Sequence, residues 1–144
     1  MTNPPLRVDF YVLSSADSGS RLRFACRLTE KAYGSLDAIY AHTDSADTAR
    51  QLDEMLWTFR QGSFVPHQLL DGTDPKAPVR IGTADHCLES GDLLINLTGE
   101  VPAFAKQFSR IAEIVDAEPY VRDASRARFR QYREMGLEPV THTI

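Results

Sequence analysis

Short apolar runs alternate with longer amphipathic segments along this chain, and this alternation restricts the fold more strongly than the composition does. Residues 93–97 have the continuous apolar character of a strand buried on both faces of a parallel sheet. Residues 8–13 are rich in β-forming side chains and end at a turn, residues 14–20, that offers helix N-caps. The alternation predicts an α/β fold, a three-layer sandwich with a mainly parallel central sheet and right-handed crossovers.

The same patterns predict the order of the elements. We expect strands at 8–13, 38–42, 65–70, 78–82, 93–97, 111–115 and 140–144, and helices at 21–33, from the caps at 43–47 to about 59, at 101–109 and at 120–135. Gly34 and Gly136 follow two of these helices where C-terminal caps are common. A chain of 144 residues has the size of one domain, so we expect a single Rossmann-like domain over residues 1–144.

Charge and composition exclude several classes of protein. Charged residues make up 25% of the chain and hydrophobic residues 42%, a mixture that argues against intrinsic disorder. No apolar run approaches the length of a membrane span, and residues 1–7 lack the apolar core of a signal peptide. Two cysteines, Cys26 and Cys87, are too few and too far apart for a metal framework. We therefore expect a cytoplasmic protein with no membrane association and with inert thiols.

The sequence lacks the signatures of the common nucleotide, metal and nucleophile sites. The turn over residues 14–20 contains one glycine, Gly19, and so matches neither the dinucleotide-binding nor the P-loop pattern. The histidines lie in four separate segments without metal-ligand spacing: His42, His67, His86 and His142. Asp85, His86 and Cys87 are adjacent and cannot all point at one reacting centre. We predict no enzymatic activity, metal or cofactor; a small nucleotide-dependent enzyme that uses this turn is the alternative.

Trp57 and Phe64 are aromatic residues that the predicted core does not need. The positions expected to pack on the sheet recur at intervals of three and four in the second helix: Ala49, Leu52, Met55, Leu56 and Phe59. Trp57 lies about 140° around the helix from Leu52, so it points sideways or outward. Phe64 lies in the loop before the next strand. Either these rings anchor a partner protein, or Trp57 folds back over the sheet edge and Phe64 caps the core.

The last helix is strongly basic, although the chain has a net charge of −4. Phe129 shares a stripe about 100° wide with four arginines, namely Arg122, Arg126, Arg130 and Arg133. Ala124, Ala127 and Met135 lie opposite and are expected to face the sheet, although Arg128 and Gln131 interrupt that face. The stripe is either a solvated basic face, a site for a short acidic peptide with an apolar end, or a nucleic-acid contact. Nucleic acid is the weakest of these readings, because the chain has no further basic cluster.

Several segments resemble the chi subunit family of the bacterial DNA polymerase III holoenzyme. They are Leu52-Asp-Glu-Met-Leu-Trp57, Ser63-Phe-Val-Pro-His67, Pro78-Val-Arg-Ile81, Asp92-Leu-Leu-Ile-Asn-Leu97, residues 126–136 and the opening strand at residues 10–13. The first two, at short separation, are the most specific. The likeness extends over nearly the whole chain, although Phe129 stands where the family pattern has tyrosine.

This resemblance implies an α/β fold without nucleotide chemistry and a non-catalytic role in DNA replication. It implies an adaptor that links the clamp-loader complex, through its psi subunit, to the single-stranded DNA-binding protein, with nucleic acid reached only indirectly. The psi-facing residues would be Trp57, Phe64, Val65, Pro66 and His67. The acidic, phenylalanine-ended tail of the single-stranded DNA-binding protein would lie on Arg122, Arg126, Phe129, Arg130 and Arg133. A direct binder of single-stranded DNA is a further alternative.

Overall fold

The computed structural model describes residues 6–17, 19–62 and 64–144, and its centre is a sheet of parallel strands. The residues outside this description are 1–5, Ser18 and Ser63. Parts of three expectations therefore lie outside the described residues: those for the chain start, for the first turn and for the Ser63–His67 segment. The strands are β1 (Arg7–Val12), β2 (Ile39–His42), β3 (His67–Leu69), β4 (Val79–Gly82), β5 (Gly91–Asn96), β6 (Phe108–Val115) and β7 (Val140–Thr143). The helices are α1 (Ser20–Tyr33), α2 (Ala46–Thr58) and α3 (Pro119–Glu134), with one 3₁₀ turn at Ala105–Gln107.

Within the described residues, the seven strands lie in the order β3-β4-β2-β5-β6-β1-β7, and every paired neighbour is parallel. Apolar residues of α1 and α2 pack on one face of the sheet, and α3 packs on the other. The predicted three-layer α/β sandwich is thereby confirmed. The strand at residues 93–97 lies inside the sheet, between β2 and β6, which explains its apolar character.

The prediction of a helix over residues 101–109 is wrong. Only Ala105–Gln107 form a single 3₁₀ turn, and β6 begins at Phe108, three residues before the predicted strand. Phe108 is buried and is the register partner of Gly91 in β5. A Cβ on Gly91 would lie 3.0 Å from the Phe108 ring, so the glycine leaves room for this ring in the sheet. Burial of that ring favours the extended backbone over another helical turn.

Both ends of α3 are closed by local hydrogen bonds. The Glu118 carboxylate accepts from the backbone N–H groups of Tyr120 and Val121, at 2.7 and 3.2 Å, and Pro119 occupies the first turn. At the other end Gly136 has a φ of 87°, and the Leu137 N–H donates to the Tyr132 carbonyl oxygen at 3.0 Å. These caps define where the helix starts and stops against β1, β6 and β7.

Asp9 is a fully buried carboxylate that joins three strands at the β7 edge. It accepts from Arg7 of its own strand, from Arg110 of β6 at 3.3 Å and from His142 of β7 at 2.8 Å. Burial acts to raise the pKa of Asp9, but the hydrogen bonds from His142 and Arg7 and the charges of Arg7 and Arg110 outweigh it. The pKa therefore lies below the ordinary value of 3.8.

The lowered pKa of Asp9 predicts an acid-sensitive contribution to stability. The ionised carboxylate stabilises the fold above the pKa that it has in the unfolded chain, and this contribution is lost as the pH falls through the lower pKa of the folded state. Asp9→Asn is expected to reduce the free energy of unfolding at neutral pH and to flatten its acid dependence. Guanidinium unfolding between about pH 6 and pH 2 measures both effects. Identical acid dependence in variant and wild type would contradict the assignment.

Candidate functional site

A cavity of about 240 Å³ lies between α3 and the β6-β1-β7 part of the sheet. We call it the α3 cavity; its lining residues are Phe10, Val12, Val115, Arg122, Ser125, Arg126, Phe129 and Thr141. Most of the sheet side is apolar, whereas the helix side contributes two arginines and the Phe129 ring. The structure therefore brings together three of the five residues predicted on the last helix. Arg130 and Arg133 are exposed and lie outside this lining.

The rings of the α3 cavity form a packed wall. The Phe10 and Phe129 centroids lie 5.2 Å apart with the rings tilted by 54°, a separation typical of favourable aromatic pairs. Phe10 is buried in the core, while Phe129 is half-buried. The cavity therefore has room for one further apolar side chain that would meet the exposed part of Phe129.

Both arginines of the cavity have guanidinium groups that can bind an anion. The Arg122 Nε donates to the carbonyl oxygen of Asp116 at 3.3 Å, and none of the described residues pairs with its two Nη atoms. Arg126 pairs with Asp123 at 2.9 Å, but both side chains are at least 70% exposed. Exposed pairs of this kind contribute little, so an incoming carboxylate can compete for Arg126. The site thus combines an apolar pocket with two cationic groups.

The prediction that Ala127 faces the sheet is wrong, whereas Met135 does pack against the core on this side of the sheet. The buried residues of this helix are Ser125, Arg128 and Tyr132, whereas Ala127 is exposed and Ala124 and Met135 are half-buried. The reason lies in β6, where Glu113 is completely buried on the α3 side of the sheet. A buried carboxylate requires a paired cation and hydrogen-bond donors, and Arg128 and Tyr132 supply them.

Glu113 is the centre of a buried polar network. Its Oε1 accepts from the Arg128 Nε at 3.0 Å, and its Oε2 accepts from the Tyr132 hydroxyl at 2.7 Å and from the Asn96 Nδ2 at 2.9 Å. Burial raises the pKa of Glu113, against the opposing effects of the Arg128 charge and the three donors. This network was not predicted from the sequence. A glutamate inside an otherwise apolar strand was the available signal, since lone buried charges are rare.

Trp57 and Phe64 form an exposed aromatic patch on the opposite layer. Their side chains are 54% and 65% exposed, and their ring centroids lie 5.8 Å apart. The prediction that Trp57 points away from the sheet-facing side of α2 is confirmed. The core of α2 is formed by Ala49, Leu52 and Leu56, with Met55 and Phe59 partly buried beside them. Neighbouring exposed rings of this size mark a surface suited to another protein.

The other predicted residues of this patch lie beneath it. Val65 is buried in the core, Pro66 is half-buried, and the His67 side chain is fully buried. The two ring nitrogens of His67 lie 2.7 Å from the Val65 carbonyl oxygen and 3.0 Å from that of Asp53. Its ring centroid is 4.5 Å from that of Trp57. His67 therefore supports Trp57 and ties the loop to α2, rather than presenting a surface of its own.

Both cysteine thiols lie in environments that disfavour the thiolate. Cys87 is half-buried, and burial and the charge of Glu89 raise the pKa of its thiol. Burial raises the pKa of Cys26 to about 12. Both shifts disfavour the reactive thiolate. Across residues 6–17, 19–62 and 64–144, no set of three or more His, Cys, Asp and Glu side chains is placed to hold a metal ion. In the same ranges, no helix has the length and apolar character needed to cross a bilayer.

Comparisons with known proteins identify relatives along nearly the full chain. The family described as DNA polymerase III chi subunit, HolC, matches residues 6–140. The Pseudomonas aeruginosa protein named DNA polymerase III subunit chi is 46% identical, with 96% of each chain covered. The Haemophilus influenzae protein of the same name is 29% identical, with 94% of this chain and 95% of that protein covered.

A solved structure with the same fold comes from a distant protein. The C-terminal domain of S. cerevisiae Dbp5 superimposes with a TM-score of 0.66 at 10% identity, over 97% of this chain and 90% of that one. At this identity the likeness concerns the fold alone.

Proposed function

Because this chain belongs to the chi subunit family of DNA polymerase III, we propose that it is a non-catalytic adaptor within the bacterial replication complex. An accessory role in DNA replication follows from the family. The finer proposal is that the chain acts in the cytoplasm and binds the psi subunit of the clamp loader with one surface. With another surface it binds the acidic C-terminal tail of the single-stranded DNA-binding protein.

The chief support for the tail site is the chemistry of the α3 cavity. An acidic peptide that ends in phenylalanine carries an apolar ring and several carboxylates. The apolar wall at Phe10 and Phe129 suits the ring, and Arg122 and Arg126 at the helix side suit the carboxylates. Arg130 and Arg133 lie outside the cavity and would attract the acidic residues that precede the phenylalanine.

The support for the psi site is the exposed pair of Trp57 and Phe64. Tryptophan and other aromatic residues dominate the energetics of protein interfaces when they are buried by a partner. The Trp57 ring packs against the buried His67 ring and against Phe64, so Trp57 is preorganised for docking. It lies on the α2 side of the sheet, whereas the tail site lies on the α3 side. Both partners can therefore be bound at once.

The rival nucleotide-dependent activity has little support at the turn after β1. Asp17 lies just before α1 and pairs with Arg23 there. A carboxylate at this helix N-terminus would repel the phosphate that such a site must hold. A protein that binds single-stranded DNA directly is expected to have several aromatic rings arranged along a basic groove. Phe129, by contrast, packs against Phe10, beside a cavity that has room for a single apolar side chain.

Titration of an acidic peptide of the Asp-Asp-x-Pro-Phe type tests the proposal. By calorimetry we expect micromolar binding, about −8 kcal/mol, that weakens as salt is added. Arg126→Ala is expected to reduce the affinity about tenfold, because a charge-assisted hydrogen bond is lost. Arg50→Ala provides a matched control, since this exposed arginine on α2 is far from the cavity and pairs only locally with Asp47. Equal affinity for wild type and Arg126→Ala would contradict the site.

A further inference from the structure

The buried Glu113 lies directly beside the wall of the α3 cavity. In the β1–β6 pairing, Glu113 is the register partner of Phe10, and Val115 is the register partner of Val12. In the β1–β7 pairing, Phe10 is the partner of Thr141. Neighbours in register point to the same face of a sheet and lie about 4.8 Å apart. One row of the sheet therefore runs from Glu113 through Phe10 to Thr141, with the carboxylate one strand away from the cavity wall.

The helix side of the cavity is attached to that same carboxylate. Arg128 and Tyr132, one helical turn apart, both donate to Glu113. Phe129 lies on the turn between them, and Arg126 lies one half-turn earlier. The Phe10 ring contacts both Phe129 and Tyr132, with centroids 5.2 and 5.9 Å away. The anchor and the cavity are consequently built on the same stretch of α3, from Arg122 to Tyr132.

Polar groups supply most of the fully buried contacts of α3, whereas its other apolar contacts with the sheet come from the half-buried Val121, Phe129 and Met135. Among its buried residues, Ser125 and Arg128 are polar, and Tyr132 uses its hydroxyl on Glu113. The Nη2 atom of Arg128 is buried and has no partner among the described residues. Burying this incompletely paired charge costs stability that an apolar pair would not cost. Two directional hydrogen bonds thus tie the helix to one carboxylate.

A small rotation of α3 would change the shape of the cavity, because the helix supplies one of its two walls. The side chains of a helix extend about 5–6 Å from its axis, so a rotation of about 20° moves them by about 2 Å. A binding constellation has to be held within about 0.5 Å and 10–20° to stay productive. A shift of this size would separate Phe129 from Phe10 or close the cavity on the side that receives the ligand.

We propose that Glu113 is a positioning residue for the α3 cavity. By holding Arg128 and Tyr132 it sets the rotation of the helix, and thereby places Phe129, Arg122 and Arg126 for an acidic peptide with an apolar end. The inference rests on the proposed function for the identity of this ligand. The network has no direct contact with the cavity lumen, since none of its four side chains is part of the lining.

The test separates positioning from simple stabilisation. Arg128→Met together with Glu113→Gln removes both buried charges, so its thermal stability is expected to recover relative to either single variant. The Arg128 hydrogen bond of the anchor stays lost, although Tyr132 can still donate to the amide oxygen introduced at position 113, and we expect the dissociation constant of the Asp-Asp-x-Pro-Phe peptide to rise about tenfold. Tyr132→Phe is the milder variant, which keeps the ring and removes one donor, with an expected loss of about threefold. Leu52→Ala in α2 is the control; it is expected to lower the melting temperature but to leave the peptide affinity within about twofold.

An NMR measurement without peptide tests by itself whether Glu113 positions α3 against the sheet. In the wild-type protein, NMR is expected to show nuclear Overhauser contacts between the rings of Phe10 and Phe129; in the folded double variant these contacts are expected to weaken or disappear. Retention of the contacts, or a double variant that regains both stability and affinity, would overturn the proposal. Should the wild-type protein fail to bind the peptide, the proposed function is wrong, and the ring contacts still decide the role of Glu113.

Discussion

Replacing Trp57 or Phe64 with alanine is expected to weaken capture of a psi subunit by about 30- to 1000-fold, which corresponds to about 2–4 kcal/mol. Both side chains are more than half exposed in the isolated chain, so docking would remove a large apolar area from water. The fold should persist, because neither ring belongs to the sheet-packed core. Co-purification with immobilised psi subunit, followed by titration, measures the loss.

A control for that prediction is available on the same chain. Tyr120 is 84% exposed but lies at the start of α3, in the layer opposite the aromatic patch. Tyr120→Ala removes an aromatic ring of similar size and is expected to leave psi capture unchanged. Undiminished capture by Trp57→Ala and Phe64→Ala alike, or an equal loss in Tyr120→Ala, would place the psi interface elsewhere.

Removing the Arg128 side chain is expected to destabilise the fold by about 3–5 kcal/mol, because it leaves the Glu113 carboxylate buried without a counter-charge. That is a large share of the stability of an ordinary domain, which is about 5–15 kcal/mol. Urea unfolding of Arg128→Met, monitored by circular dichroism, gives the free energy of unfolding directly.

The matched variant on the same helix is Arg126→Met. Arg126 is 70% exposed, so its loss is expected to change the free energy of unfolding by no more than about 0.5 kcal/mol. A loss below about 1 kcal/mol in Arg128→Met would mean that removing Arg128 does not leave an uncompensated buried charge at Glu113.

Local patterns predicted most elements of this fold and the sideways or outward direction of Trp57. Helical spacing separates Trp57 from Leu52 and Leu56, and this angular relation does not depend on the rest of the fold. The apolar run at residues 93–97 likewise predicts a strand inside the sheet, although it does not predict which strands lie on either side of it. The helix expected at residues 101–109 failed, since the buried Phe108 is accommodated by a strand neighbour, Gly91, that lies far away in the sequence.

The network around Glu113 could not be worked out in the same way. Its members come from β5, β6 and α3, so their meeting depends on strand order and on the rotation of a helix. Helical spacing places Arg128 among the residues of α3 that were expected to face the sheet. Only the position of the Glu113 carboxylate explains why an arginine is found there. In the segment from Phe64 to His67, the sequence pattern likewise does not distinguish the exposed Phe64 from the buried Val65 and His67.

Simultaneous binding of both partners tests the adaptor function most directly. Psi subunit is immobilised, this chain is bound to it, and full-length single-stranded DNA-binding protein is then added while surface plasmon resonance records the added mass. We predict a further signal that needs about tenfold more single-stranded DNA-binding protein with Arg126→Ala, although this variant stays bound to psi. With Phe64→Ala the signal is expected to fall because the chain itself is captured about 30- to 1000-fold more weakly. Displacement of the chain from psi by the single-stranded DNA-binding protein, or an undiminished signal with Arg126→Ala, would contradict the two-surface account.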